Sequence, residues 1–246
     1  MSKKARLRKR LSDIDIDEDV ETINENPQSS KGFSIKNKYA INDVHKTFLD
    51  LCLYEKTKMI FVDGPAGTAK TYLAVLAALT LLQAKQIRKI VYIRSIAESA
   101  EKSIGALPGE VNDKFGPWAL PMIDKLNELI PAAKSKELME DGVIQCIPVN
   151  FVRGLTFHDA AVIVDESQNL SKRELTSILT RFGHNSRYFI AGDLKQNDVQ
   201  KSGYSEVLGR FNDEESATNH IHCVHFGLNE IVRSHILRFI VKKLDC

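Results

Sequence analysis

Apolar positions recur along this chain with two alternating periods. Helical spacing marks Asn42–Leu53 through Val44, Phe48, Leu51 and Leu53, and the short apolar run Lys58–Asp63 that follows is a buried strand. Tyr72–Gln83 is almost wholly apolar and rich in Ala and Leu, which predicts a buried helix. Lys89–Arg94 predicts a second buried strand, 117–130 and 134–140 predict helices, and 143–149 alternates like a strand. Ala161–Asp165 predicts a core strand, and Ser171–Phe182 a helix that Ser171 and Glu174 open as a capping box. Arg187–Asp193, then Gly203–Phe211, then Ile221–Phe226 predict strand, helix and strand, and Leu228–Lys243 an amphipathic closing helix. Short apolar strands alternating with helices predict an α/β fold, a mostly parallel sheet with helices on both faces.

Residues 1–30 break this pattern. Six cations, Lys3 to Arg10, precede six acids, Asp13 to Glu21, and the stretch ends in turn-forming residues. Too few apolar side chains are present to offset chain entropy, so a disordered charged arm is expected, with the folded domain over 31–246. The arm reads as a solvated tail whose charge blocks neutralise each other, or as an electrostatic tether for nucleic acid.

Composition adds little. The 246 residues carry 34 Lys+Arg against 32 Asp+Glu, a balance that argues for no particular partner. The four cysteines form no CxxC pair, so a reducing, cytoplasmic setting is expected. No apolar run reaches the roughly 18 residues that suggest a membrane span.

The candidate chemistry lies at strand ends. Gly64, Pro65, Ala66, Gly67, Thr68, Ala69, Lys70 and Thr71 follow one predicted strand and open a helix, the setting of a Walker A phosphate loop. Its amides would form an anion nest, Lys70 would bridge the β- and γ-phosphates of ATP, and the Thr71 hydroxyl would ligate Mg²⁺. The pattern calls for Gly at 69, where this chain has Ala. Helical backbone angles would make the methyl group harmless, and that is the expectation here. Asp165 ends a core strand and would hold Mg²⁺, while Glu166 would polarise the attacking water.

At these residues the chain resembles the PhoH-like ATPases, P-loop proteins related to superfamily 1 helicases. GPAGTAKTYLA is similar to the family's GPAGTGKTYLA, and Asp165–Asn169 to D-E-A-Q-N. Arg94, Ala97, Glu98 and Leu107–Gly109, with Lys114, Pro121 and Asp124, are similar to the stretch after the family's second strand. Arg153–Thr156 resembles R-G-R-T, and Leu179–Gly183 resembles L-T-R-I-G. Gly192 and Asp193 with Gln196 and Asp198 match G-D-x-x-Q-x-D, and Val232–His235 partly matches V-R-H-P. The resemblance implies a RecA-like core that hydrolyses ATP, coupled to RNA or single-stranded nucleic acid. A small-molecule kinase or an ATP-gated assembly module are the alternatives.

Gln196 would sense the γ-phosphate and Gln168 would couple the acidic loop to a partner strand, with ordinary turn polarity as the other reading of each. Arg153, Arg181 and Arg233 are candidates for the arginine that neutralises transition-state charge, and the resemblance favours Arg233, placed early in the closing helix. With one P-loop core in these 246 residues, no second core is expected to complete the site. This points to a finger from a neighbouring subunit and a homo-oligomeric ring such as a hexamer. His220, His222, Cys223 and His225 fall on opposite faces of a strand, a poor geometry for one metal. Phe115 and Trp118 read as packing at a helix start, with base stacking as the other reading.

Overall fold

The computed structural model describes residues 33–37, 39, 41–95, 117–196 and 202–244. The arm expected over 1–30, the motif residues Ala97 to Lys114, Phe115 and Asp198 lie outside the described residues.

Six parallel strands form one sheet in the order β3-β2-β4-β5-β1-β6. They are β1 (Met59–Asp63), β2 (Lys89–Arg94), β3 (Ile144–Pro148), β4 (Ala160–Asp165), β5 (Arg187–Gly192) and β6 (Ile221–His225). Every residue of β1, β4 and β5 is buried, which explains why these strands read as continuous apolar runs.

Helix α1 (Asp43–Leu53) precedes β1, and α2 (Lys70–Gln83) joins β1 to β2. Between β2 and β3 lie α3 (Leu120–Leu129) and α4 (Ala132–Glu140); α5 (Lys172–Leu179) joins β4 to β5. Two short helices, α6 (Tyr204–Arg210) and α7 (Glu214–Thr218), lead into β6, and α8 (His235–Leu244) follows it. One face of the sheet packs Phe61, Val91, Val162 and Ile190 against Leu175 and Ile178 of α5 and Tyr204 and Val207 of α6. Helix α2 covers β2, β4 and β5 from the other side. This is the architecture of an α/β P-loop NTPase.

The capping box at the start of α5 forms as expected, with Ser171 accepting from the Glu174 amide and Glu174 from the Ser171 amide. Two elements differ from the periodicity. Helix α7 starts where Asp213 accepts the Ser216 amide at 2.7 Å, a local cap that apolar spacing does not mark. The expected helix over 228–243 is interrupted: a 3-10 turn, Leu228–Glu230, and an extended stretch come before α8. Tertiary bonds hold that stretch out of a helix. Buried Glu230 accepts from Asn42 Nδ2 at 2.9 Å and from the Gly227 amide at 2.7 Å, and the Val232 amide donates to the Gly67 carbonyl at 3.0 Å.

Arg187 opens β5 and is buried, and among the described residues its guanidinium forms no ion pair within 4 Å. Its guanidinium donates to the Cys52 and Leu53 carbonyls at the end of α1 and to Gln86 after α2. A charge in that place is satisfied by the negative end of a helix dipole. It ties the ends of both helices to the amino end of β5, an interior strand, on the side of the sheet away from the phosphate loop.

Candidate nucleotide-binding site

The carboxyl ends of β1, β4 and β5 meet around a cavity of about 190 Å3. Of the residues expected there, Ala66, Gly67, Thr68, Ala69, Lys70, Thr71, Asp165, Glu166, Gln196 and Arg233 line it. Gly64, Pro65 and Gln168 do not line it but bond to residues that do, the first two to Lys70 and the third to Glu166.

The loop 64–69 turns tightly out of β1. A side chain at Gly64 would meet the Phe226 carbonyl at 2.6 Å, so the chain leaving β6 has room only for glycine there. Gly67 has φ +83 and lies under Leu237 of α8. Helix α1 braces the loop from behind. The His45 Nδ1 accepts from the Asn42 amide, which assigns the proton to Nε2 and lets it donate to the Thr68 carbonyl at 3.2 Å. Burial pushes the His45 pKa down, in keeping with that neutral ring.

Ala69 corrects the expectation for that position. Its φ is 63 and its ψ is 20, the left-handed region, so the methyl group is not harmless. An L-residue there is strained by about 1–2 kcal/mol, and glycine would avoid this. The left-handed turn at Ala69 leads directly into Lys70, the first residue of α2.

Lys70 Nζ donates to the Gly64 carbonyl at 2.5 Å and to the Pro65 carbonyl at 3.0 Å. Burial lowers its pKa, while the charges of Asp193, Glu166, Asp165 and Asp63 oppose that shift. The Thr71 hydroxyl donates to Asp165 Oδ1 at 2.7 Å. Asp165 Oδ2 accepts from the buried Tyr92 hydroxyl at 2.6 Å. Burial first, then the Asp165 charge, push the Tyr92 phenol well above its ordinary value, so it stays a donor. Thr71 and Asp165 thus offer two hard oxygen donors side by side, the donor type that Mg²⁺ takes.

Glu166 also has left-handed angles, φ 50 and ψ 43. This turn lifts its carboxylate off the strand and toward the cavity. Gln168 Nε2 donates to Glu166 Oε2 at 2.6 Å, and Gln168 Oε1 accepts the Asp193 amide at 3.1 Å. Arg94 Nη2 lies 3.9 Å from Glu166 Oε1.

The three arginines part company. Arg233 lines the cavity of its own chain, on the extended stretch before α8 rather than early within that helix. Arg153 opens on a second cavity with Asn150, Glu174 and Ser177. Arg181 follows α5, near the amino end of β5 and so away from the phosphate loop. Trp118 is partly buried in the turn before α3, its indole nitrogen without a partner among the described residues. His225 pairs with Asp63 at 2.9 Å, and Cys223 lies against the Phe211 carbonyl. Among the described residues, no three His, Cys, Asp or Glu side chains are placed to hold a metal ion.

A phosphate loop hydrogen-bonded through its threonine to an acid 94 residues away agrees with what comparison with known proteins finds. The family described as PhoH-like protein matches residues 42–245. The chain belongs to the PhoH family. It is 35% identical over 191 residues to a PhoH-like protein of Bacillus subtilis (strain 168), covering 78% of this chain and 59% of that one. A PhoH-like protein of Synechocystis sp. is 35% identical over 194 residues, 78% of this chain and 58% of the relative. Protein PhoH2 of Thermobispora bispora is 34% identical over 198 residues, 80% and 45% respectively. The matched part thus spans about half the length of these PhoH relatives.

Several residues of this PhoH site carry no clear mark in the sequence. Asp193 lines the cavity with Oδ2 buried and unpaired among the described residues. It belongs to the G-D motif, but the motif alone attaches no role to it. Tyr39 and Lys125 line the cavity from the segment before α1 and from α3, and nothing local marks either one. Tyr92 has a faint signal, a single hydroxyl in an otherwise aliphatic stretch of strand. No helix of the described residues is long and apolar enough to cross a membrane.

Proposed function

We propose that this PhoH-family chain hydrolyses ATP with Mg²⁺ and couples turnover to RNA or single-stranded nucleic acid. The observation that carries the reading is the Thr71–Asp165 hydrogen bond of 2.7 Å at the cavity that residues 66–71 line. The amides of the loop and the Lys70 ammonium bind the β- and γ-phosphates. Thr71 and Asp165 hold Mg²⁺, which neutralises charge on the phosphate oxygens when bound. Glu166, held by Gln168, orients and polarises the attacking water. Arg233 offsets charge that builds on the transferred group, and Gln196 reads the presence of the γ-phosphate.

Support for the nucleic-acid half comes from Phe151, 69% exposed in the turn that follows the carboxyl end of β3. An exposed ring with Arg153 two residues on offers a stacking face and a cation for a sugar–phosphate strand. Support for a homo-oligomer comes from α8. Ile236, Phe239, Ile240 and Leu244 are exposed at helical spacing, and a second copy would cover that stripe.

The test is ATP turnover with and without RNA, for wild type and Glu166→Gln. Glu166→Gln is expected to lose about 10²–10⁴ in turnover while still binding ATP. Wild-type turnover is expected to rise with RNA, and less so at high salt. Turnover that Glu166→Gln leaves intact would refute the hydrolytic reading, and indifference to RNA and salt would refute the coupling. A phosphorylated small-molecule acceptor would make the protein a kinase instead.

A further inference from the structure

The two oxygens of Asp165 are committed to different neighbours. Oδ1 accepts from Thr71 and Oδ2 from Tyr92, at 2.7 and 2.6 Å. Tyr92 is fully buried on β2, whose register sets Tyr92 beside Ile163 and Arg94 beside Asp165. Its ring therefore reaches two residues along the sheet, about 7 Å, to meet the carboxylate. Among residues that pack in an apolar strand, tyrosine combines that reach with a donor at the tip.

A carboxylate free to rotate can grip a cation with both oxygens. Calcium accepts that bidentate grip readily, whereas magnesium demands near-octahedral geometry with short bonds. The bond from Tyr92 to Oδ2, with Thr71 on Oδ1, holds the carboxylate against rotation and leaves Oδ1 as its oxygen on the side of Thr71. The bond is charge-assisted and buried, the kind that orients a ligating side chain.

We propose that Tyr92 is a positioning residue that sets divalent-ion selectivity: by holding Asp165 Oδ2 it denies the ion a bidentate carboxylate and favours Mg²⁺ over Ca²⁺. The proposal rests on the Mg-dependent reading of the site given above. Tyr92 touches neither nucleotide nor ion in this role. It acts through Asp165.

The experiment is equilibrium binding of a fluorescent ATP analogue to the full chain, titrated with Mg²⁺, with Ca²⁺, and with EDTA. Tyr92→Phe keeps the ring in the core and removes only the hydroxyl, and circular dichroism checks its fold. The affinity in EDTA is expected to stay within about twofold, since no phosphate contact changes. The Mg²⁺ concentration for half-maximal enhancement is expected to rise about tenfold, the scale of a lost hydrogen bond to a charged group. The preference for Mg²⁺ over Ca²⁺ is expected to shrink. Tyr92→Leu offers a second route to the same comparison if the phenyl ring packs poorly. Unchanged Mg²⁺ dependence and unchanged discrimination in a folded variant would overturn the proposal and leave Tyr92 a packing residue. Thr71→Val and Asp165→Asn separate the two levels. If they too leave Mg²⁺ dependence unchanged, the ion site itself is misread; if they abolish it while Tyr92→Phe does not, only the role of Tyr92 fails.

Discussion

Gln168 and Glu166, two residues apart, join side chain to side chain at 2.6 Å, and the same Gln168 receives the Asp193 amide at 3.1 Å. One buried amide group thus holds the proposed base at the tip of β4 and the end of β5 together. In Gln168→Ala, Glu166 loses its tether and the buried Asp193 amide loses its acceptor. Turnover is expected to fall about 10- to 100-fold through misplacement of the base. Stability in urea is expected to drop by about 1–3 kcal/mol for the unpaired amide. ATP affinity should hardly change, because Gln168 does not line the cavity. A variant with full turnover would sever the link between this bridge and the chemistry.

Ala69 makes the opposite kind of prediction. Ala69→Gly removes the strain of φ 63 but frees the unfolded chain. Relief of strain outweighs the added chain freedom, so a net gain of about 0.5–1 kcal/mol is expected. For a domain of this size that is a rise of roughly 1–4 °C in melting temperature. A lower melting temperature would mean that the left-handed turn is misassigned.

Arg233 lines the cavity of its own chain. Arg233→Ala is expected to cost about 10³ or more in turnover, the scale of an arginine that meets transition-state charge. Mixing Arg233→Ala with Lys70→Ala should restore nothing, since each chain would lack part of its own site. Recovery of activity in the mixture would show that the arginine reaches a neighbouring subunit.

The Asp63–His225 pair predicts a pH dependence. The hydrogen bond to Asp63 raises the His225 pKa from its ordinary 6.5, burial opposes it, and the Asp63 and Glu230 charges assist. A histidine whose folded pKa lies above its unfolded one stabilises fully below the unfolded value. That contribution is lost as pH rises through the folded value. The difference in stability between wild type and His225→Gln is therefore expected to be larger at about pH 5.5 than at about pH 8.5. It should be small throughout, because the His225 side chain is 69% exposed and solvent screens the pair. A difference that grows with pH would reverse the assignment.

Much of this architecture was legible from local pattern. Buried parallel strands read as short apolar runs because both of their faces are covered, and the capping box at Ser171 and Glu174 needs nothing beyond four consecutive residues. The segment 228–243 shows where that reasoning stops. Its spacing is helical, yet Glu230 and Val232 bond to Asn42 and Gly67, partners far earlier in the chain, and those bonds hold Arg233 at the phosphate loop.

Order along the chain was enough to name the phosphate loop, the acidic pair and the family, since each depends on residue types at fixed spacing next to a strand. Three-dimensional packing alone decided the rest: the left-handed turn at Ala69, the grip of Tyr92 on Asp165, the Gln168 bridge and which of three arginines lines the cavity. Each of these is a contact or a backbone angle imposed by elements that meet only when the sheet assembles, and no local periodicity encodes which strand ends become neighbours.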